Sequence, residues 1–182
     1  GSGEHACGDV GLGRMLEPLE ILELFSSSFD QGNLSERSIL ITAGPTQEPI
    51  DPVRFITNRS SGKMGYSLAE AAIEAGAKVT LISGPVNLEP PPNCNFISIE
   101  TANEMHEAVM HHVKSKDVYI GTAAVADYRP VTFHESKIKK DTDNSSLTLQ
   151  LQENQDILKS VSELNERPYL VGFAAETDNL LS

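Results

Sequence analysis

Five short apolar runs recur along this chain, and helical spacing rules the stretches between several of them. That alternation constrains the fold more than any other feature. Residues 38–42, 78–83, 96–99, 117–121 and 169–173 read as strands, because each is a brief β-branched or aliphatic run bounded by polar or turn residues. Residues 61–76 place Met64, Leu68, Ala72 and Ala75 on one helical stripe, and Gly76 supplies the stop. Thr101-Ala102-Asn103-Glu104 is a capping-box pattern, opening a helix with Met105, Val109 and Val113 inward. A further helix is expected around 156–165. The expected class is therefore α/β: a Rossmann-like three-layer fold with a mostly parallel sheet. Such sheets bind ligands beyond the carboxyl ends of their strands, which directs attention to residues 43–62, 121–129 and 173–177.

Two regions break the alternation. Gly84 to Pro92 carries four prolines and reads as an extended loop. Residues 131–152 hold Lys137-Ile138-Lys139-Lys140, a polar turn at 141–146, then Leu147 to Leu151 in period two. This is a basic excursion, or flap, leading into a strand. Before the regular pattern begins, residues 5–16 are Gly-rich and loop-like. Pro18 then opens a short helix bearing Leu19 and Leu22, and residues 26–37 have linker composition. We expect a remnant of another unit at 1–29, a linker at 30–37, and the main domain at 38–182.

Charge narrows the function classes. Fourteen basic against twenty-six acidic residues give a net charge of −12, which argues against nucleic acid and against anionic membranes as partners. A small anionic ligand remains open, because a few local cations override a global charge. Aromatics at 5% and no Trp disfavour a stacking platform for single strands. Cys7 and Cys94 are too few for a disulfide framework or a zinc knuckle. The polar N-terminus is not a signal peptide and no stretch has membrane-spanning length, so the expected compartment is the cytoplasm.

The candidate motifs each admit a plain reading. Ser60-Ser61-Gly62-Lys63 is a turn at a helix N-terminus, whose free N–H groups and Lys63 charge suit an anion, or it is only a tight turn. It is not a Walker A loop, since Thr57 and Met64 stand where Gly and Ser/Thr are required. A dinucleotide site of the reductase kind lacks its ribose-binding acid, because the second strand ends in Ser83-Gly84-Pro85. Ala123-Ala124-Val125-Ala126-Asp127 lets backbone approach a flat ligand, with Asp127 as an acceptor or a helix cap. Lys137, Lys139 and Lys140 form a cation cluster or a solvated edge. Adjacent His111 and His112 cannot chelate one ion together, and Cys94 lies in the proline loop.

Taken in order, residues 41–65, 121–130, 137–140, 154–158 and 171–177 resemble the phosphopantothenoylcysteine synthetase domain of coenzyme A biosynthesis. Residues 5–18 (HACGDVGLGRMLEP) resemble the end of the phosphopantothenoylcysteine decarboxylase domain fused to it in most bacteria. The resemblance implies a CTP-dependent ligase. The carboxylate of 4′-phosphopantothenate attacks the α-phosphate of CTP, giving an acyl-cytidylate, and cysteine then displaces CMP. Magnesium would come with the triphosphate, and the resemblance names no metal ligand in the protein.

By the same resemblance, Asp127 reads the cytosine edge with backbone near Ala123 and Ala124. Lys137 covers the triphosphate from the flap. Asn154, Gln155, Asp156 and Ile157 match a nucleotide-binding Asn-Pro-Asp-Ile stretch, with Gln155 replacing its proline, and Phe173 packs on base or ribose. Asn58, with Arg54 nearby, holds the acyl-cytidylate. Ser61, Gly62 and Lys63 are phosphate candidates from helix physics. Cys7 matches the decarboxylase proton donor, which would need the FMN of a domain not present here. The family continues past residue 182, so a truncated CTP site is expected, and it pairs synthetase domains as a homodimer. The competing readings are an NAD(P)-binding reductase domain and an inert, truncated nucleotide-binding module.

Overall fold

The computed structural model describes residues 2–4, 10–12, 33–139 and 146–173. Ser2–Glu4 (β1) and Val10–Leu12 (β2) pair antiparallel, so part of the Gly-rich segment expected to be loop is a short ribbon. The expected helix after Pro18, Cys7, Lys140 and residues 174–182 lie outside the described residues.

Further strands follow in chain order: Ser38–Ala43 (β3), Gln47–Pro49 (β4), Phe55–Thr57 (β5), Lys78–Ser83 (β6), Asn95–Ser98 (β7) and Val118–Gly121 (β8). Tyr128–Pro130 (β9), Leu151–Glu153 (β10) and Tyr169–Gly172 (β11) complete them. The helices are Lys63–Glu74 (α1), Ala102–His112 (α2) and Ile157–Ser162 (α3). All five strands expected from the apolar runs join one parallel sheet in the order β11-β8-β3-β6-β7. The chain therefore starts in the middle, works outward to β7, and returns on the other side of β3. This is the doubly wound arrangement, with its switch point between β3 and β8.

Period two along the strands sorts the core into two layers. Ile39, Ile41 and Ala43 with Val79 and Leu81 face α1, while Leu40, Ile82 and Tyr119 face α2 and α3. Full burial of Leu40, Ile41, Leu81 and Ile82 contributes about 1.5–3 kcal/mol per side chain. On α2 the capping box forms as the sequence predicts. Thr101 Oγ1 accepts from Glu104 N at 3.2 Å, and Glu104 returns to the Thr101 N–H. Met105, Val109 and Val113 are fully buried below it.

Two expectations need correction. The buried face of α1 is Gly65, Tyr66, Ala69 and Ala72, and Met64 is exposed. A helix rich in alanine carries more than one plausible stripe. The sheet selects the one with Gly65, where an added Cβ would lie 2.5 Å from both Ala43 Cβ and Thr122 Oγ1. The second correction concerns the strand expected at 147–151. The pairing lies at β10, where Leu151, Gln152 and Glu153 face Pro130, Arg129 and Tyr128 of β9. Of residues 146–153 only 151–153 have a partner strand, and period-two patterning cannot form a strand without one. The β4–β5 ribbon, register Gln47↔Thr57, was not legible as strands in the sequence.

Candidate functional site

The carboxyl ends of β3 and β8 would open a crevice at the switch point, but their loops close it. Ala124 N–H donates to Gly44 O at 2.8 Å and Thr46 N–H to Ala124 O at 3.3 Å, so Pro45 and Ala124 form a parallel bridge beyond the strands. Thr122 Oγ1 donates to Thr42 O at 2.6 Å. The buried Thr46 hydroxyl accepts from Ala126 N at 3.0 Å. The opening lies instead over the face of the sheet that carries α3. There a cleft of about 730 Å³ lies between the 121–128 loop and residues 153–158, with Phe173 at its edge.

Most of the nucleotide residues expected from the sequence meet in this cleft: Ala123, Asp127, Asn154, Gln155, Asp156, Ile157 and Phe173 all line it. Their local roles differ. Asp127 is exposed, is followed by the strand β9 rather than by a helix, and its carboxylate makes no hydrogen bond among the described residues, so the cap reading fails and an acceptor lines the opening. Asn154 is fully engaged by the scaffold. Its Nδ2 donates to Ala126 O at 2.7 Å, its Oδ1 accepts from Arg129 Nη1 at 2.6 Å, and its N–H donates to Asp127 O at 2.7 Å. It therefore locks the 126–127 turn against β10. Asp156 caps α3, accepting from Lys159 N at 2.9 Å. Ala124 does not line the cleft, because both its backbone groups serve the bridge. Phe173 is half exposed.

The sequence reading missed the floor. Tyr119 and Thr42 lie beneath the cleft with their hydroxyls 3.5 Å apart. Burial pushes the Tyr119 phenol up to about 12, so it stays protonated at neutral pH. Arg129 was also missed, although an arginine two residues beyond Asp127 was a readable signal.

The remaining candidates surround the cleft. Asn58 Nδ2 donates to Val125 O at 2.9 Å, which seats it against a lining residue. Gly62 caps α1 in the left-handed region at φ 73°, packed on Gly44 and Val86. Ser61 and Lys63 are exposed there, and this turn lies outside the cleft lining. Lys137 is exposed and also outside the lining. Arg54 is engaged in an ion pair with Asp51, whose carboxyl this guanidinium holds well below the usual carboxylate range. Arg54 Nη2 also donates to Ile138 O at 2.9 Å.

Burial pushes the Cys94 thiol up, away from nucleophilic thiolate chemistry. Among the described residues no group of three His, Cys, Asp or Glu stands close enough to hold a metal ion. No helix among them is long and apolar enough to cross a membrane.

Fold and site together define a Rossmann-like α/β domain with a ligand cleft at the carboxyl ends of its strands. The chain belongs to the DNA/pantothenate metabolism flavoprotein C-terminal domain family, whose model matches residues 34–182. It is 55% identical over 180 residues to the coenzyme A biosynthesis bifunctional protein CoaBC of Vibrio vulnificus, covering 98% of this chain and 45% of that protein. The Escherichia coli protein of the same name is 51% identical over 182 residues, with the same coverages. The chain thus spans about half the length of these curated relatives. Among solved structures, the C-terminal domain of CoaBC superposes with a TM-score of 0.70 at 49% identity, over 80% of this chain and 68% of that one.

Proposed function

We propose that this domain carries the phosphopantothenate–cysteine ligase reaction of coenzyme A biosynthesis, driven by CTP. The observation that carries the reading is the free Asp127 carboxylate in a cleft walled by Ala123, residues 154–157 and Phe173. Membership of the family and the names of the half-identical relatives support the same reading.

The chemistry follows from the groups present. A carboxylate acceptor beside small residues suits the exocyclic amino group of cytosine, and the scaffold bonds of Asn154 keep the turn rigid while it binds. A carboxylate is a poor acylating agent. The phosphopantothenate carboxylate oxygen therefore attacks the α-phosphorus, and the bond to the β-phosphate oxygen breaks, releasing pyrophosphate. Lys137 neutralises the charge that develops. The cysteine amine then attacks the acyl carbon, loses a proton, and CMP departs. Asn58, seated on Val125, holds the acyl-cytidylate for that attack, with Arg54 and the Gly62 turn as neighbouring anion contacts. Magnesium, bound through the triphosphate, would supply charge neutralisation there.

Six large apolar side chains stay exposed on adjoining segments: Val53, Phe55, Val131, Phe133, Leu147 and Leu151. The β4–β5 and β9–β10 ribbons, with the loop residues that flank them, suit a homodimer contact.

The test is direct. CTP with magnesium should raise the melting temperature and NADPH should not, and incubation with CTP, 4′-phosphopantothenate and cysteine should yield pyrophosphate and amide in equal amounts. Stabilisation by NADPH instead of CTP would overturn the reading in favour of a reductase domain. Nucleotide binding without pyrophosphate or amide would leave an inert nucleotide-binding module.

A further inference from the structure

We propose that Asp51 is a positioning residue that latches the basic flap to the Arg54 loop and so sets where Lys137 stands. The inference rests on the ligase reading for its catalytic consequence, but its structural part does not.

Asp51 is 2% exposed and accepts five hydrogen bonds. Three hold its own turn: Val53 N at 2.9 Å, Arg54 N at 3.0 Å and Arg54 Nε at 2.9 Å. A fourth comes from Arg54 Nη2. The fifth comes from 87 residues away, where Ile138 N–H donates to Asp51 Oδ2 at 3.1 Å. Arg54 completes the grip by donating to Ile138 O at 2.9 Å. Both polar backbone atoms of one flap residue are thus held by a single acid–base pair. His134 N–H donates to Ile50 O at 3.0 Å and aligns the approach. Burial alternates across the grip: Ile138 is half-buried, and Lys137 and Lys139 on either side are exposed. The cations have no partner among the described residues, and the residue between them is tied down. A charge-assisted acceptor has few substitutes, since a neutral amide cannot pair with the guanidinium and would turn its NH2 toward existing donors.

Trypsin cuts after lysine, so the flap carries its own reporter. In the complete gene product, Asp51→Asn should retain a cooperative melt and native circular dichroism. Cleavage after Lys137 and Lys139 should quicken by about tenfold or more, the loss expected for one charge-assisted bond. CTP-dependent pyrophosphate release should fall by a similar factor in kcat, and adding Lys137→Gln should lower it little further, because both changes act on one group. Should Asp51→Asn fail to fold, Ile138→Pro removes the long-range N–H and leaves the Asp51–Arg54 pair in place. Cleavage after Lys139 is then the measurement, because trypsin spares a Lys–Pro bond. Unchanged cleavage overturns the latch. Faster cleavage with unchanged kcat, or fully additive losses with Lys137→Gln, overturns the positioning role. No pyrophosphate from the unaltered protein removes the ligase reading and the catalytic consequence with it, while the cleavage rates still decide the latch.

Discussion

Asp127 and Asp51 show how one residue type acquires opposite roles from its surroundings. Asp127 is exposed and has no partner among the described residues, so its value lies in what it can accept from a ligand. Asp127→Ala should weaken CTP binding by about ten- to a hundredfold, the loss of one charged hydrogen bond, with little change in melting temperature; titration calorimetry measures the first and a thermal melt the second. Asp51 and Asp117 are instead held by the protein. Ser38 N–H at 2.7 Å leads the causes that lower Asp117, and Arg54 leads for Asp51. Folded-state values below the unfolded ones mean that the stabilisation is complete above about pH 3.9 and is lost as pH falls below it. Urea midpoints at pH 6 and pH 3 should show that decline, and the decline should be smaller for Asp117→Asn. Lys137 and Asn58 separate the two chemical steps. Lys137→Gln should slow pyrophosphate release, whereas Asn58→Asp should spare it and slow amide formation, because a new carboxylate repels the intermediate's phosphate. Rapid-quench measurement of each product distinguishes them.

At the scale of elements, the alternation of apolar runs predicted every strand of the parallel sheet and the existence of α1, α2 and α3. These are local signals: period two or 3.6, a capping box, a Gly at φ 90° after α1. The face of α1 was not local. Its alanines permit more than one stripe, and the choice belongs to Gly65 packing on Ala43 and Thr122. Gly65→Ala should therefore cost about 1–3 kcal/mol as overpacking, although alanine is the better helix former. Thr101→Ala, which removes the α2 cap, should cost about 1 kcal/mol, or about 2–4 °C in melting temperature. Thermal melts of the two variants give both values. The displaced β10 belongs with α1, because its position was set by where β9 offers partners.

At the scale of the whole molecule, a net charge of −12 is compatible with the proposed anionic ligands because charges are sorted in space. Lys63, Lys137 and Lys139 are exposed without an acidic partner among the described residues, whereas Arg37, Arg54 and Lys78 each have one. The apolar strip across the small ribbons is the other molecular feature. If the proposed homodimer forms through that strip, Phe133→Asp should yield a monomer in sedimentation or light scattering where the unaltered protein gives a dimer, and a dimer unaffected by it would place the interface elsewhere.

By itself the sequence determined the α/β class, the five core strands and the capping of α2, because strand period and cap chemistry are encoded within a few adjacent positions, and its resemblance to a family named seven of the fifteen residues that line the cleft. Only the tertiary structure decided that the switch point is bridged shut at Pro45 and Ala124, that the cleft lies over the α3 face of the sheet, that Tyr119 and Thr42 form its floor, and that Asp51 grips Ile138 from 87 residues away. Each depends on hydrogen bonds between segments distant in the chain, whose partners no local pattern specifies.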